Sequence, residues 1–197
     1  MAATKTAYPR GTFELAQQHG RTLAVSIEAA LQTRARPLSG PLRLAYGEAD
    51  LDYAGPPTRV EYEAKLNSSD KYEIQHARRF LDRLDKGEKL PEKYSFPVQV
   101  VRFGDELTLV GLAGETVVDY SLRLKRELTG PAFWVAGYCN DVMSYIPNAR
   151  LLREGGYEPR TSIFFSEIHP GPWAPSLEER IIAKVHELND GLRQRNR

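Results

Sequence analysis

The order of apolar and polar residues predicts a helix and then a strand at the start of the chain. Residues 12–33 carry apolar side chains at helical spacing, which predicts an amphipathic helix with Thr12 as its N-cap. These side chains stand at positions 13, 16, 23, 24, 27 and 31. Residues 42–53 instead alternate between apolar and polar side chains, as a strand with one buried face does.

The middle of the chain is much more charged than the segments on either side. Residues 58–90 predict two helices whose N-caps are Thr58 and Asp70. Both helices are polar enough to lie on the protein surface. We therefore expect residues 58–90 to form a charged helical insertion that acts as a lid or an arm. The proline-bearing segment LPEKYSFP follows and predicts a break in the chain near residue 95.

The second half of the chain has the most regular pattern. Its predicted elements are two strands in residues 98–114, a helix in 115–128, a strand in 132–140 and a closing helix in 176–192 capped by Ser176. A turn at Gly104-Asp105 makes the first two strands an antiparallel pair. Because strand, helix and strand then alternate, we expect an α/β fold with a mixed, partly parallel sheet flanked by helices.

Composition and charge narrow the class of protein. The 197 residues are 41% apolar and 27% charged, so we assign residues 1–197 to a single globular domain. The net charge of +1 gives no polyelectrolyte attraction to nucleic acid. No apolar run approaches the roughly 20 residues of a membrane span, and the N-terminus lacks the apolar stretch of a signal peptide. A single cysteine, Cys139, excludes an internal disulfide.

Candidate chemistry gathers where two of the predicted strands end. One strand ends at Gly114-Glu115, and a later strand runs into the irregular residues 137–159, which carry tyrosines at 138, 145 and 157. In open α/β sheets ligands bind at the carboxyl ends of strands, so neighbouring strands would bring these side chains to one rim. Two simpler interpretations stay open: Glu115 lies in the first turn of a helix, where the dipole favours a carboxylate, and the tyrosines pack a long loop onto the body.

Two segments, LTLVGLAGETVVDYSLRLKREL and WVAGYCNDVMSYIPNARLLREGGYEP, resemble the second part of the catalytic domain of neutral/alkaline (non-lysosomal) ceramidases. They are most similar to the short bacterial type. In that family one strand ends in Gly-Glu, and a later strand ends in a Gly-x-x-Asn turn that precedes two tyrosines. Here the order is Gly114-Glu115, then Gly137 and Asn140, then Tyr145 and Tyr157-Glu158, with an interval of twelve residues between the tyrosines. The charged helices and the GPWAP segment extend the resemblance over most of the chain.

The resemblance implies a zinc-dependent amidohydrolase that cleaves ceramide or a related lipid amide by metal-activated water. By position, Glu115 is the carboxylate ligand, Tyr145 is the phenolate ligand and Tyr157 is the phenol that donates to the oxyanion. Zn²⁺ accepts oxygen ligands at about 2.0–2.2 Å and lowers the pKa of its bound water to about 7. A phenol has an ordinary pKa near 10, so a tyrosine ligand needs the field of the cation to ionise.

The family's two histidine ligands lie upstream of a segment that resembles TAYPRG, residues 6–11 here. We therefore expect them outside this chain, in a missing N-terminal section or a partner chain, so that this chain is a C-terminal part of the catalytic domain with an incomplete site. Of its own histidines, His19, His76 and His186 are expected at surface or boundary positions. His169 lies in a loop near the candidate site and is the one candidate for a ligand or a substrate contact, beside a Trp173 that we expect to seal the core.

Three interpretations of function remain. The chain belongs to a ceramidase-like zinc hydrolase with a lipid-like amide substrate; it is a non-catalytic α/β remnant that self-associates as a homo-oligomer through exposed apolar surface; or it is an independent esterase or amidase. No Gly-x-Ser-x-Gly motif supports the third interpretation. Members of the resembled family are often secreted, whereas the sequence itself indicates no compartment.

Overall fold

The computed structural model describes residues 11–55, 57–128, 130 and 132–194. The chain divides into two compact units, Met1–Pro37 and Leu38–Arg197. The first unit contains helix α1, Phe13–Leu31, which begins where the Thr12 hydroxyl accepts a hydrogen bond from the Leu15 amide at 3.3 Å. The predicted helix and its N-cap are confirmed. None of the residues of α1 is buried.

The second unit combines a mixed sheet with helices. Its strands, in chain order, are β1 Leu42–Asp52, β2 Lys93–Phe103, β3 Leu107–Leu112, β4 Glu115–Thr116, β5 Phe133–Ala136 and β6 Tyr145–Ile146. Its helices are α2 Arg59–Lys65, α3 Lys71–Asp85, α4 Val118–Glu127, α5 Ala149–Glu154 and α6 Leu177–Gln194. One sheet has the order β1-β2-β3-β5, in which β3 and β5 are parallel and the other pairs antiparallel, whereas β4 and β6 form a separate parallel pair. The predicted α/β fold is confirmed.

The hydrophobic core lies between one face of the four-stranded sheet and the helices α4 and α6. β2 and β3 send alternate side chains to this face, and α6 packs across β1 and β2. The central side chains of this core are fully buried: Phe96, Val98, Val100, Val110, Leu112, Leu124, Leu177, Ile181 and Val185. Burial of such side chains contributes about 1.5–3 kcal/mol each, so this layer supplies most of the stability of the second unit.

Tyr120 connects α4 to the chain that follows β6. Its side chain is buried, and its hydroxyl donates to the carbonyl of Pro147 at 2.9 Å. Burial raises the pKa of Tyr120 well above its ordinary value, so the hydroxyl remains a donor. This bond fixes the carbonyl directly behind β6.

We expect Tyr120→Phe to lower the free energy of unfolding by about 1–3 kcal/mol, because the Pro147 carbonyl is then buried without this donor. Urea unfolding measures the loss. Tyr46→Phe is the matched control, since Tyr46 is exposed and its hydroxyl donates to the exposed carboxylate of Glu48. Equal losses in the two variants would contradict a structural role for the buried hydroxyl.

The charged segment 58–90 forms the two predicted helices. The Thr58 hydroxyl caps α2 in a capping box with Glu61, and the Asp70 carboxylate caps α3 by accepting from the Tyr72 amide. The two helices enclose a small apolar cluster of their own, in which the rings of Tyr62 and Phe80 stack 5.6 Å apart. The pair therefore has a buried side as well as the expected charged surface.

Three side chains of this helix pair bind backbone carbonyls of the segment 166–170. Tyr62 donates to Pro170 at 2.7 Å, Arg79 donates to Ser166 at 2.7 Å, and His76 donates from Nε2 to His169 at 2.8 Å. A carbonyl oxygen only accepts, which assigns the ring proton of His76 to Nε2. The helical arm is thus fastened along the segment that follows Tyr157.

The break predicted near residue 95 is wrong, since β2 begins at Lys93 and runs through Pro97. Pro97 pairs with Glu48 of β1, whereas the pairing of β2 with β3 begins only at Val98. The Pro97 carbonyl accepts from the amide of Ala113 beyond the end of β3 at 3.3 Å. The missing amide hydrogen of proline therefore costs no ladder bond, which is the condition under which strands tolerate proline.

The other face of the four-stranded sheet carries exposed apolar side chains on β1 and β5, including Leu44 and Trp134. Among the residues that the structure describes, no helix has the length and the apolar character needed to cross a membrane.

Candidate functional site

The end of β3 turns and runs beside the loop that follows β5. Gly114 makes the turn with a φ of +66°, and the chain continues into β4, which pairs in parallel with β6. The Glu115 amide donates to the Ser144 carbonyl at 3.0 Å, and the register places Glu115 directly opposite Tyr145. The two strand tips therefore present a carboxylate and a phenol side by side.

A second set of backbone bonds holds the start of the loop against the same turn. The Gly114 amide donates to the backbone carbonyl of Asp141 at 2.7 Å, and the Tyr138 amide donates to the Gly114 carbonyl at 2.8 Å. Tyr138 has a φ of +58°, in the left-handed region that residues other than glycine, asparagine and aspartate seldom occupy. Strain of this kind persists only where the surroundings over-determine it, as these paired backbone bonds do.

The Glu115 carboxylate lies close enough to two phenols to raise the pKa of both. Its bond with Tyr145, with smaller contributions from desolvation and from the negative charge, raises the pKa of Tyr145 to about 12. Its bond with Tyr138 also raises the pKa of that phenol. Without a cation nearby, both phenols are therefore protonated donors to one carboxylate at neutral pH.

Tyr157 lies against Tyr145 from the far end of the irregular segment. α5 ends at Gly155-Gly156, and Tyr157 then opens a π-helical turn, Tyr157–Thr161. The rings of Tyr145 and Tyr157 meet edge to face, with centroids 5.5 Å apart. The side chain of Tyr157 is about half exposed, so its hydroxyl remains accessible to a molecule that approaches this edge.

A cleft of about 270 Å³ opens over these residues. Its lining comprises Glu115, Val142, Met143, Ser144, Tyr145, Tyr157, Ser162, Phe165 and Ser166. The ring of Phe165 and the side chain of Val142 are exposed at the rim. The cleft thus combines one carboxylate and two phenols with an apolar edge.

The backbone wall of the cleft rests on the hydrophobic core through Trp173. This indole is 2% exposed, as expected for a residue that seals the core, and its Nε1 donates to the Tyr145 carbonyl at 3.2 Å. The Trp173 ring stacks on Tyr53 with centroids 4.8 Å apart. The position of Tyr145 is therefore coupled to the packing beneath the sheet.

The structure brings all three predicted site residues, Glu115, Tyr145 and Tyr157, to one cleft. Tyr138 is among the tyrosines of residues 137–159 that the sequence predicts at this rim, but its place in the Gly-x-x-Asn turn indicated no role for it. The motif did contain a signal for Tyr138. It is the second residue of the turn that follows β5, and this turn lies beside Gly114. Phe165 and the two buried serines, Ser162 and Ser166, gave no signal in the sequence, since a π-helical turn and a 3-10 turn bring them to the cleft.

The histidines lie apart from this cleft. His76, which was expected at the surface or a boundary, is fully buried, because the segment 162–170 covers that side of α3. His169 is fully buried too, with its ring 4.4 Å from Trp173 and 4.8 Å from Tyr53, and it does not line the cleft. His19 is exposed and His186 is partly exposed, as predicted.

Burial governs the protonation of the two inner histidines. It lowers the pKa of His76 to about 4 against the opposing effect of the bond to the His169 carbonyl. It lowers the pKa of His169 to about 3, with a further lowering by His76 and a raising effect of the Gly171 backbone. Both rings are neutral at physiological pH, and both Nδ1 atoms are buried without a hydrogen-bond partner.

The donor set of the cleft fits half of the zinc site that the family resemblance implies. Glu115 and Tyr145 supply two adjacent oxygen donors of the kinds required, and their register holds them together. Within residues 11–55, 57–128, 130 and 132–194, no group of three or more His, Cys, Asp or Glu side chains is placed to hold a metal ion. Catalytic zinc sites use three protein ligands or more, so at least one further donor is needed, and the two histidines that the resemblance implies would meet this need.

The sequence matches no protein-family model. It also has no significant match among curated proteins.

Proposed function

We propose that this chain provides part of the active site of a zinc-dependent amidohydrolase that cleaves the amide of ceramide or a related lipid amide. One observation carries the proposal: Glu115 and Tyr145 are register partners at the mouth of a cleft that Tyr157 also lines. The order of these residues also follows the ceramidase-like pattern in the sequence. The site is completed by two donors from a further segment or a partner chain.

In this proposal Glu115 and Tyr145 hold the cation. When bound, zinc polarises the amide carbonyl and lowers the pKa of a bound water. The pairing of β4 with β6 keeps the two donors adjacent in the free chain, and the carboxylate raises the pKa of both Tyr145 and Tyr138. The chain's own contribution is thus a pre-positioned pair of oxygen donors.

Tyr157 supplies a phenol that is free to face a substrate. Its ring contacts Tyr145 edge-on, which fixes its orientation, while its half-exposed side chain lies at the cleft. A neutral phenol in this place donates a hydrogen bond to negative charge that develops on the substrate carbonyl oxygen. A single donor of this kind is worth about 2.7–4 kcal/mol in the transition state. The exposed Phe165 and Val142 at the rim suit an apolar substrate chain.

Zinc titration of the purified chain tests the donor pair directly. We expect weak binding, with less than one tightly held zinc per chain, because two oxygen donors are too few for a tight site. Binding should produce a tyrosinate difference absorption that Tyr145→Phe abolishes, and Glu115→Gln should weaken binding by at least about tenfold, equivalent to about 1.4 kcal/mol. Tyr46→Phe, which alters an exposed phenol that does not line the cleft, is the matched control. Unchanged zinc binding in both cleft variants would disprove the proposed ligands.

Hydrolysis of a fluorogenic ceramide analogue tests the completeness of the site. The isolated chain should show feeble turnover or none, because half of the donor set is absent from its cleft. Robust turnover that Tyr157→Phe removes would show that the site is self-sufficient. It would disprove the need for two outside donors.

An independent esterase would require a serine activated by a base in the same cleft. Ser162 donates its hydroxyl to the Glu158 carbonyl at 2.7 Å, and Ser144 donates to the Tyr145 carbonyl at 3.0 Å. No histidine of the described chain lines the cleft. Hydrolysis of short p-nitrophenyl esters that survives Glu115→Ala would favour this alternative.

A further inference from the structure

β1 lies at one end of the four-stranded sheet, so one of its edges faces away from β2. The amide and the carbonyl of a strand residue point to the same side, and successive residues point to opposite sides. Just before β1 begins, the Pro41 carbonyl accepts from the Gly104 amide on the β2 side. Just after β1 ends, the Tyr53 amide donates to the Glu92 carbonyl on the same side. The odd-numbered residues therefore bond β2, and the even-numbered residues of β1 direct their backbone groups outward.

The C-terminal end of this outer edge is occupied. The Asp50 carbonyl accepts from Nη1 of Arg180 at 2.9 Å, and the Asp52 carbonyl accepts from the Ala174 amide at 2.9 Å. In the stretch Leu42–Glu48, none of the residues that the structure describes bonds the outward backbone groups. This stretch is called the free edge below.

The free edge lacks the features that usually prevent an edge strand from pairing. Proteins protect such edges with proline, lysine, a bulge or a covering segment. The free edge contains no proline or lysine, and its register with β2 runs residue by residue without a bulge. Leu42, Leu44 and Tyr46, whose backbone groups point outward, are each more than half exposed. The free edge is therefore open to one more strand.

A groove of about 470 Å³ runs beside the free edge. It lies between residues 44–46 of β1 and Leu188, Gly191 and Leu192 of α6. A Cβ at Gly191 would have no atom within 4 Å, so the helix leaves the groove open at this point. Side chains alternate between the two faces of a strand, and α6 packs on one face of β1. A strand added at the free edge would thus direct every second side chain toward the groove.

Two acidic side chains flank the free edge. Glu187 lines the groove, and its side chain is 64% exposed although it accepts from Lys184. Glu48 ends the free edge and is also exposed. A lysine or arginine that enters the groove would cover Leu188 with its aliphatic stem and bring its charge to Glu187. The groove therefore selects a basic side chain with a long apolar stem.

We propose that the free edge binds an extended segment of a partner protein, which adds a fifth strand to the sheet and places a basic side chain in the groove. An extended backbone presents amides and carbonyls at the spacing of the unpaired groups of Leu44, Tyr46 and Glu48. A helix bonds its own backbone groups and a lipid tail has none, so neither complements this edge. The inference is independent of the proposed hydrolase function, because the groove and the cleft have no lining residue in common.

Fluorescence anisotropy of a labelled probe peptide with the full chain tests the proposal. The probe is a peptide of about nine alternating threonine and valine residues with a central lysine, a composition that favours an extended conformation. We expect saturable binding with a dissociation constant between about 10 µM and 1 mM. Methylation of the peptide nitrogens along one edge of the probe should abolish binding, and methylation along the other edge should leave it unchanged, because a single edge faces β1. Glutamate in place of the lysine should weaken binding at least about threefold.

Two variants test the free edge and the groove separately. Leu44→Pro removes an outward amide without removing a bond to β2, and it should raise the dissociation constant of the probe at least about tenfold. Leu44→Ala is the matched control, since it shortens the same side chain and retains the amide, and it should change the constant less than about threefold. Gly191→Gln fills the groove from a helical position where glutamine favours folding, and it should also weaken binding at least about tenfold. Far-ultraviolet circular dichroism verifies that each variant folds.

Three results would overturn the proposal. The probe could fail to bind at concentrations up to about 1 mM, which would show that the free edge does not accept a strand. Leu44→Pro and Leu44→Ala could weaken binding equally, which would show that the unpaired amide makes no contact. Sedimentation equilibrium could show a dimer that forms without the probe and that Leu44→Pro dissociates, which would assign the free edge to a second copy of the chain.

Discussion

Gly114→Ala is expected to lower the free energy of unfolding by about 3 kcal/mol or more and to separate the two strand tips of the cleft. A Cβ at this position would lie 2.6 Å from Cγ1 of Ile146 and 2.8 Å from the Ser144 carbonyl oxygen. Ile146 is fully buried and the carbonyl belongs to the backbone, so neither can move without opening the pairing of β4 with β6. The left-handed φ of +66° adds about 1–2 kcal/mol of backbone strain for alanine.

Urea unfolding and hydrogen exchange at the Glu115 amide measure the two parts of this effect. Gly87→Ala is a close control, since Gly87 has a φ of +74° but no atom within 4 Å of the added Cβ. Its loss should be limited to the backbone strain, and exchange at Glu115 should stay slow. If Gly114→Ala costs no more than Gly87→Ala, the close contact at the turn does not hold the strand tips together.

Mild acid is expected to destabilise the second unit through its two buried histidines. Burial lowers the pKa of His76 to about 4 and that of His169 to about 3, whereas an unfolded histidine titrates near 6.5. Below pH 6.5 the unfolded chain binds protons that the folded chain does not, so stability is complete above this pH and falls as the pH decreases toward 4. For His76 alone, the interval from 6.5 to about 4 corresponds to roughly 3 kcal/mol.

Protonation of His76 destabilises the folded chain because its Nδ1 atom is buried without a hydrogen-bond partner. Nε2 already donates to the His169 carbonyl, so protonation would place a second donor where no acceptor is available. Lys65 and Arg79 nearby also disfavour the positive charge, while Glu73 favours it slightly. Protonation therefore favours release of α3 from the segment 166–170, and this segment carries part of the cleft wall.

Urea unfolding at pH 7.5, 6 and 5 tests this expectation in a range where carboxylates remain ionised. The free energy of unfolding should fall at every step, and His76→Gln, which retains a side-chain donor, should reduce the slope by about one proton, or about 1.4 kcal/mol per pH unit. His19→Gln is the control, because His19 is exposed on α1. An unchanged slope in His76→Gln would show that His76 is not the group that titrates.

Most of the fold could be predicted because its signals are local. Thr12, Thr58 and Asp70 each accept a hydrogen bond from the first turn of the helix that follows, which is the chemistry that their side chains and spacing indicate. The effect of Pro97 could not be predicted from the sequence, because it depends on which strand its missing amide would face, and that is set by where β3 ends. The depth of His76 was missed for the same reason, since the residues that bury it lie about ninety positions farther along the chain.

The candidate site was only partly predictable. Glu115, Tyr145 and Tyr157 were selected from motif order, and the pairing of β4 with β6 gives that order a geometric basis. The position of Tyr138 beside Glu115 depends on its left-handed backbone conformation, which the pattern of apolar residues does not indicate. Phe165 reaches the cleft through irregular turns, for which neither helical nor strand periodicity supplies a signal.

The hydrogen bond from the Trp173 indole to the Tyr145 carbonyl limits how this protein can be engineered. Phenylalanine or leucine at position 173 would fill much of the same volume, yet the Tyr145 carbonyl would lose the indole donor and retain the Ser144 hydroxyl. Repacking the interior to raise heat resistance would thus shift the backbone of Tyr145 and, with it, the wall of the cleft. The packing of the interior and the position of Tyr145 both depend on the Trp173 side chain, so selection for either would restrict the other.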